Sequence, residues 1–77
     1  SNHHEMLRDL LYSVGEEVSP VIFEDVLKLL LEQELLTRQE MNLLVATASD
    51  RVLGEEADYI RANMLRQILH EVDRKGK

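Results

Sequence analysis

The stretch Leu31–Glu40, LEQELLTRQE, decides the architecture of this chain. Most of its residues are good helix formers, so propensity alone would carry one helix straight through it. Embedded in it, however, is Thr37-Arg38-Gln39-Glu40, which has the form of a capping box. A Thr hydroxyl accepts from the N–H three residues on, and the Glu reaches back to the Thr N–H. Two donors that every helix start leaves open are thereby satisfied. Leu36 before the box and Met41 after it are spaced to close as a hydrophobic staple. We therefore expect a chain reversal near Glu34–Leu36 and two helices rather than one.

The same signals punctuate the rest of the chain. Ser19-Pro20 pairs a favoured N-cap with a residue suited to the first helical position, and Val18 can close on Phe23 across that start. Upstream, Met6, Leu7, Leu10, Leu11 and Val14 recur at helical spacing, which predicts a first helix over 5–14, with Gly15 as its stop. From Pro20 on, Ile22, Phe23, Val26, Leu27 and Leu29–Leu31 cover about 200° of a helix, so the second helix should sit in the middle of the fold. The third is expected from Arg38 to Leu53, with Met41, Leu44, Val45, Ala48 and Val52 as its stripe. The fourth is expected over 55–74, with Ala57, Ile60, Met64, Leu65, Ile68, Leu69 and Val72. Gly54 should break the chain between them. If it does not, they merge into one rod of about 36 residues, roughly 54 Å long. One Pro and three Gly in 77 residues leave little room for anything but helix. The expected fold is all-α: four short helices in a small antiparallel bundle, forming a single domain over residues 1–77. Residues 1–4 are expected to be flexible or left over from cloning, and 75–77 to form a tail.

Chemistry is excluded more readily than assigned. With no Cys there is no disulfide frame, thiolate metal site or thiol nucleophile. The acid pairs Glu16-Glu17, Glu24-Asp25 and Glu55-Glu56 stand on a short helical chain, where neighbouring acids are ordinarily solvated rather than held apart in a catalytic pocket. Ser13, Ser19 and Ser49 lack a nucleophile-elbow context, and His70 falls on the polar side of the fourth helix. His3 and His4, adjacent on a helix, would point about 100° apart, a poor geometry for one metal. No calcium, phosphate or zinc spacing appears, and no apolar run approaches the roughly 20 residues of a membrane span. We expect no enzyme activity, no cofactor, no metal, no membrane association and a cytoplasmic location.

Charge is unevenly spread. Residues 1–60 carry thirteen acids against four bases, and residues 61–77 two acids against five bases. The acidic body repels phosphate and makes nucleic acid an unlikely partner. The alternative is a small bacterial transcription-linked regulator that touches DNA through its basic C-terminal end. Two short strings, Leu7–Leu11 and Leu27–Leu31, match the L-x-x-L-L form that docks in helix-binding grooves, although any leucine-rich amphipathic helix yields it.

Excess apolar surface points to self-association. Helices two and four carry apolar arcs of about 200° and 180°, wider than a single four-helix unit needs. The surplus is expected on helix four at Leu65, Leu69 and Val72, facing a second copy across a two-fold axis. Arg61 falls inside the same arc. Its guanidinium must snorkel, pair with Asp58, or bridge to an acid of a second subunit. The expected function is a self-associating, acidic, non-enzymatic adaptor or regulator: a homodimer that binds another protein.

Two stretches also resemble known families. YSVGEE, LLLEQELLTRQEMN and ILHEVDRKGK look like the first two-thirds of a caspase-recruitment, death-fold domain, though the chain stops before that family's last two helices. GEEADYIRANMLRQIL is similar to the final helix of the AriR-type biofilm regulators, without that family's Gly and Asn-Lys signature. Both resemblances imply a helical protein-interaction or regulatory module.

Overall fold

The computed structural model describes residues 2–75, and these form four helices: α1 (Asn2–Ser13), α2 (Pro20–Glu32), α3 (Arg38–Arg51) and α4 (Ala57–Lys75). No strand occurs among the described residues. Gly76 and Lys77, the end of the expected tail, lie outside them.

Each cap works as its residues demand. The Ser19 hydroxyl accepts from the Ile22 N–H at 3.2 Å, and Pro20 opens α2. Thr37 and Glu40 close the full capping box: Glu40 N–H donates to Thr37 Oγ1 at 3.0 Å, and Thr37 N–H to Glu40 Oε1 at 2.9 Å. The staple residues Val18, Phe23, Leu36 and Met41 are all buried. The reversal between α2 and α3 is a Schellman turn. Leu35 N–H donates to Leu30 O at 2.9 Å and Glu34 N–H to Leu31 O at 3.0 Å. Its left-handed position, at φ 61°, is occupied by Glu34, where a glycine is usual.

Gly54, at φ 89°, breaks the chain between α3 and α4 and rules out the continuous rod. Gly15 does not act the same way: it keeps out of the left-handed region, and α1 simply ends at Ser13. The first helix begins at Asn2 rather than Glu5. Its extra turn brings His4 Nδ1 to 2.5 Å from Asp73 Oδ1 at the far end of α4.

The packing is a Z rather than a square. α2 and α4 lie side by side in the centre, α1 packs on α4, and α3 packs on α2. α1 runs antiparallel to α4: His4 meets Asp73 at one end, and Gly15 O accepts from Arg66 at 3.0 Å toward the other. α2 runs parallel to α4. Pro20 and Phe23 share a cavity with Arg61, and Leu36 shares a groove with Val72 and Lys75. The core is aliphatic and centres on Leu7, Leu27, Leu30, Leu65 and Leu69. The strings 7–11 and 27–31 are largely claimed by it: Leu7, Leu27 and Leu30 are buried, Leu10 and Leu11 half-buried.

Candidate self-association surface

The four residues expected at a partner surface lie in the interior of the single chain. Leu65 and Leu69 are 0% exposed, Val72 6% and Arg61 8%. The reason is the central position of α4. Its 61/65/69/72 face is covered by α1 and α2 together, so the wide arc is used within one molecule. The surplus is the neighbouring strip, Ile60, Met64 and Ile68, which is exposed or half-buried.

Arg61 takes the local option. Its Nε donates to the Val18 carbonyl at 2.7 Å, and Nη2 pairs with Asp58 one turn earlier. Val18 N–H in turn donates to Asp58 O at 3.0 Å. These bonds clamp the α1–α2 connection onto the first turn of α4. The guanidinium is buried but its charge is answered and its hydrogen bonds are made, as a buried charge requires. It holds the fold together and does not reach outward.

The open apolar surface lies between α3 and α4. These helices are splayed, and a groove of about 520 Å³ runs between them, closed at one end by the α2–α3 turn. Leu35, Leu44, Met64 and Ile68 are half-buried along it, and Val72 reaches its floor. Leu43 stands at its edge, 68% exposed. The rim carries both signs of charge, with Glu40 and Glu71 beside Lys75. Glu40 is held below the usual carboxylate value, first by the backbone N–H of Thr37; Glu71 is held low by its hydrogen bond from Arg74. Both stay ionised at neutral pH.

The sequence did hold a signal for this groove. Leu43 fits none of the α3 stripe positions 41, 44, 45, 48 and 52. A single off-stripe Leu is ordinary; it becomes informative where it adjoins a contiguous apolar surface, as Leu43 does beside Leu44, Met64 and Ile68. Tyr12 and Tyr59 are likewise off-stripe, and both are exposed.

Among the described residues there is no group of three or more His, Cys, Asp or Glu able to hold a metal ion, and no helix is long and apolar enough to cross a membrane. His70 is exposed.

No curated protein and no solved structure matches the chain. A family model does, over residues 2–70, which takes in α1, α2, α3 and most of α4. It is neither of the two families that the sequence resembles in part. Its description, a dimerization domain, agrees with a small helical unit that leaves an apolar groove open. This chain belongs to the family of the CtsR C-terminal dimerization domain.

Proposed function

We propose that this domain joins two copies of a cytoplasmic transcriptional regulator, and that the α3–α4 groove is where the copies meet. The family supports self-association in a regulator, and CtsR is a transcriptional repressor. The observation that carries the choice of surface is Leu43. It stands 68% exposed beside an apolar groove that its own chain leaves uncovered. Under a two-fold axis each face meets itself, so Leu43 of one copy can enter the groove of the other while its own groove receives Leu43 in return. The mixed rim suits this, because Lys75 of one copy can meet Glu40 or Glu71 of the other.

The domain acts by geometry rather than chemistry. Holding two copies at a fixed spacing lets a two-fold regulator engage two half-sites at once. Contact with DNA belongs to other parts of such a regulator, since the acidic body repels phosphate. Arg74, one of the two bases in the last turn of α4, is bound to Glu71 at 2.6 and 2.7 Å.

Sedimentation tests the surface. The wild-type domain should run at twice its 8.9 kDa mass at tens of micromolar. Leu43→Glu should run as a folded monomer, because a charge on the two-fold contact meets its own copy in an apolar groove. A Leu43→Glu variant that stays dimeric at the wild-type dissociation constant overturns the assignment.

A further inference from the structure

α3 presents a second face beside its buried one. At 100° per residue, Glu40, Leu43, Leu44, Thr47 and Arg51 fall within about 100° of one another, roughly a quarter-turn from the buried Met41 and Ala48. Glu40, Leu43 and Leu44 line the groove between α3 and α4. The Thr47 hydroxyl donates to the Leu43 carbonyl at 2.8 Å, so its polar group is satisfied within the helix. The face starts with an acid and ends with a base: Glu40 and Arg51 stand about three helical turns apart, roughly 16 Å. Arg51 is exposed and makes no ion pair among the described residues. Glu40 uses only Oε1 in the capping box, whereas Glu71, the other acid of the rim, is already held by Arg74.

α3 runs antiparallel to α4. Glu40 shares the groove with Lys75 at the end of α4, and Ala48 shares a recess with Arg61 near its start. On the reading that the copies meet at this groove, two bases are open to Glu40 of the other copy. Lys75 lies at Glu40's own end, so pairing these two puts the two-fold axis at that end and leaves Ile60 and Met64 uncovered. Arg51 lies at the opposite end of α3. Pairing it with Glu40 puts the axis at the middle of α3, level with Val45 and Ala46, and lays each α3 along the groove of the other copy. A stable interface buries on the order of 1,200 Å² or more, which favours the lengthwise arrangement.

We infer that the two copies pair through antiparallel α3 helices, with Glu40 of each bound to Arg51 of the other. Leu44 is then level with Thr47 of the other copy, whose small side chain allows close approach. Leu43 reaches the facing groove beside Met64. The two ion pairs close the ends of the apolar contact and set its register.

Sedimentation of the whole 77-residue chain with reversed charges tests this. Arg51→Glu sets Glu40 against a second acid at both ends and should weaken the dimer about tenfold or more. Glu40→Lys sets Arg51 against a second base and should do the same. Mixed in equal amounts, the two variants restore both pairs, because each carries the charge that the other lacks. The mixture should dimerise within about threefold of wild type, and so should Glu40→Lys/Arg51→Glu in one chain. The double variant carries the same change at the capping box as Glu40→Lys, so its recovery separates pairing from helix stability; circular dichroism confirms that each variant is folded. Arg38→Glu makes the same change in net charge on the far side of α3 and should shift the constant less than about twofold. Equal losses in Arg51→Glu and Arg38→Glu, or no recovery in the mixture and the double variant, would overturn the inference. So would a loss in Lys75→Glu that Glu40→Lys repairs, which moves the axis to the end of the groove. A Leu43→Glu variant that stays dimeric overturns the surface itself; a monomeric one with no recovery in the charge swaps overturns the register alone.

Discussion

α3 and α4 are neighbours in the chain and opposites in use. α4 is central: Ala57, Arg61, Ala62, Leu65, Leu69 and Val72 are all buried along it. α3 is peripheral and buries only Met41 and Ala48 within its length. One helix organises the fold, and the other offers a surface. If the copies meet at the α3–α4 groove as proposed, stability and association rest on largely different residues, and a mutation should remove one while leaving the other.

The largest expected effect lies on α4. Leu69→Ala, at a side chain with no exposed surface, should cost about 2–5 kcal/mol through lost burial and the cavity left behind. In a domain this small, that is a large part of the whole margin. Urea unfolding should show it in the midpoint, and dimerisation should fall only as the folded fraction falls. If Leu69→Ala keeps full stability but loses the dimer, the division between the two helices is wrong.

Arg61→Ala comes next. It removes the clamp on the α1–α2 connection and should cost about 1.5–3 kcal/mol, the range for hydrogen bonds made by a charged group. Asp58 is nearly half exposed, so its unpaired charge adds little once solvent screens it. The dissociation constant of molecules that remain folded should stay at the wild-type value. A loss of more than about tenfold would restore the bridging role across subunits that the clamp argues against.

The entry to α3 should respond more weakly. Thr37→Ala removes the acceptor for the Glu40 N–H and should cost about 1 kcal/mol. The other half of the box depends on pH. Glu40 is held below its ordinary value in the folded chain, so it favours folding above the usual carboxylate range. That contribution is lost as pH falls through the lowered value. A denaturation series on wild type and Glu40→Gln should therefore show two midpoints that converge in acid.

The smallest pair has opposite signs. Glu34 and Gly54 both sit at positive φ, at the two ends of the stretch that contains α3. Glu34→Gly relieves a left-handed side-chain residue and should stabilise by about 0.5–1 kcal/mol. Gly54→Ala meets no neighbouring atom within 4 Å, so its cost is the backbone strain alone, about 1 kcal/mol. Thermal unfolding resolves both, and equal signs would contradict the conformations of the two turns.

By itself the sequence determined the helices and their breaks, because those signals are local. Thr37 and Glu40 need only each other and three intervening residues to form a cap, and Ser19-Pro20 needs only the turn that follows. The Schellman turn before the cap was legible as a reversal but not in its form, since Glu34 gives no sign of a left-handed backbone. The need for a second copy was also legible, in the total width of the apolar arcs. Which residues would meet that copy was not. Leu65, Leu69 and Val72 read as surplus because an apolar arc of about 180° is wider than a helix of a small antiparallel four-helix unit needs. Only the tertiary structure set α4 beside both α1 and α2, turned Arg61 inward to Val18 and Asp58, and splayed α3 away to open the groove at Leu43. Helical periodicity says how much of a helix is apolar; which neighbour covers each part depends on contacts between residues far apart in the chain, and no local pattern encodes those.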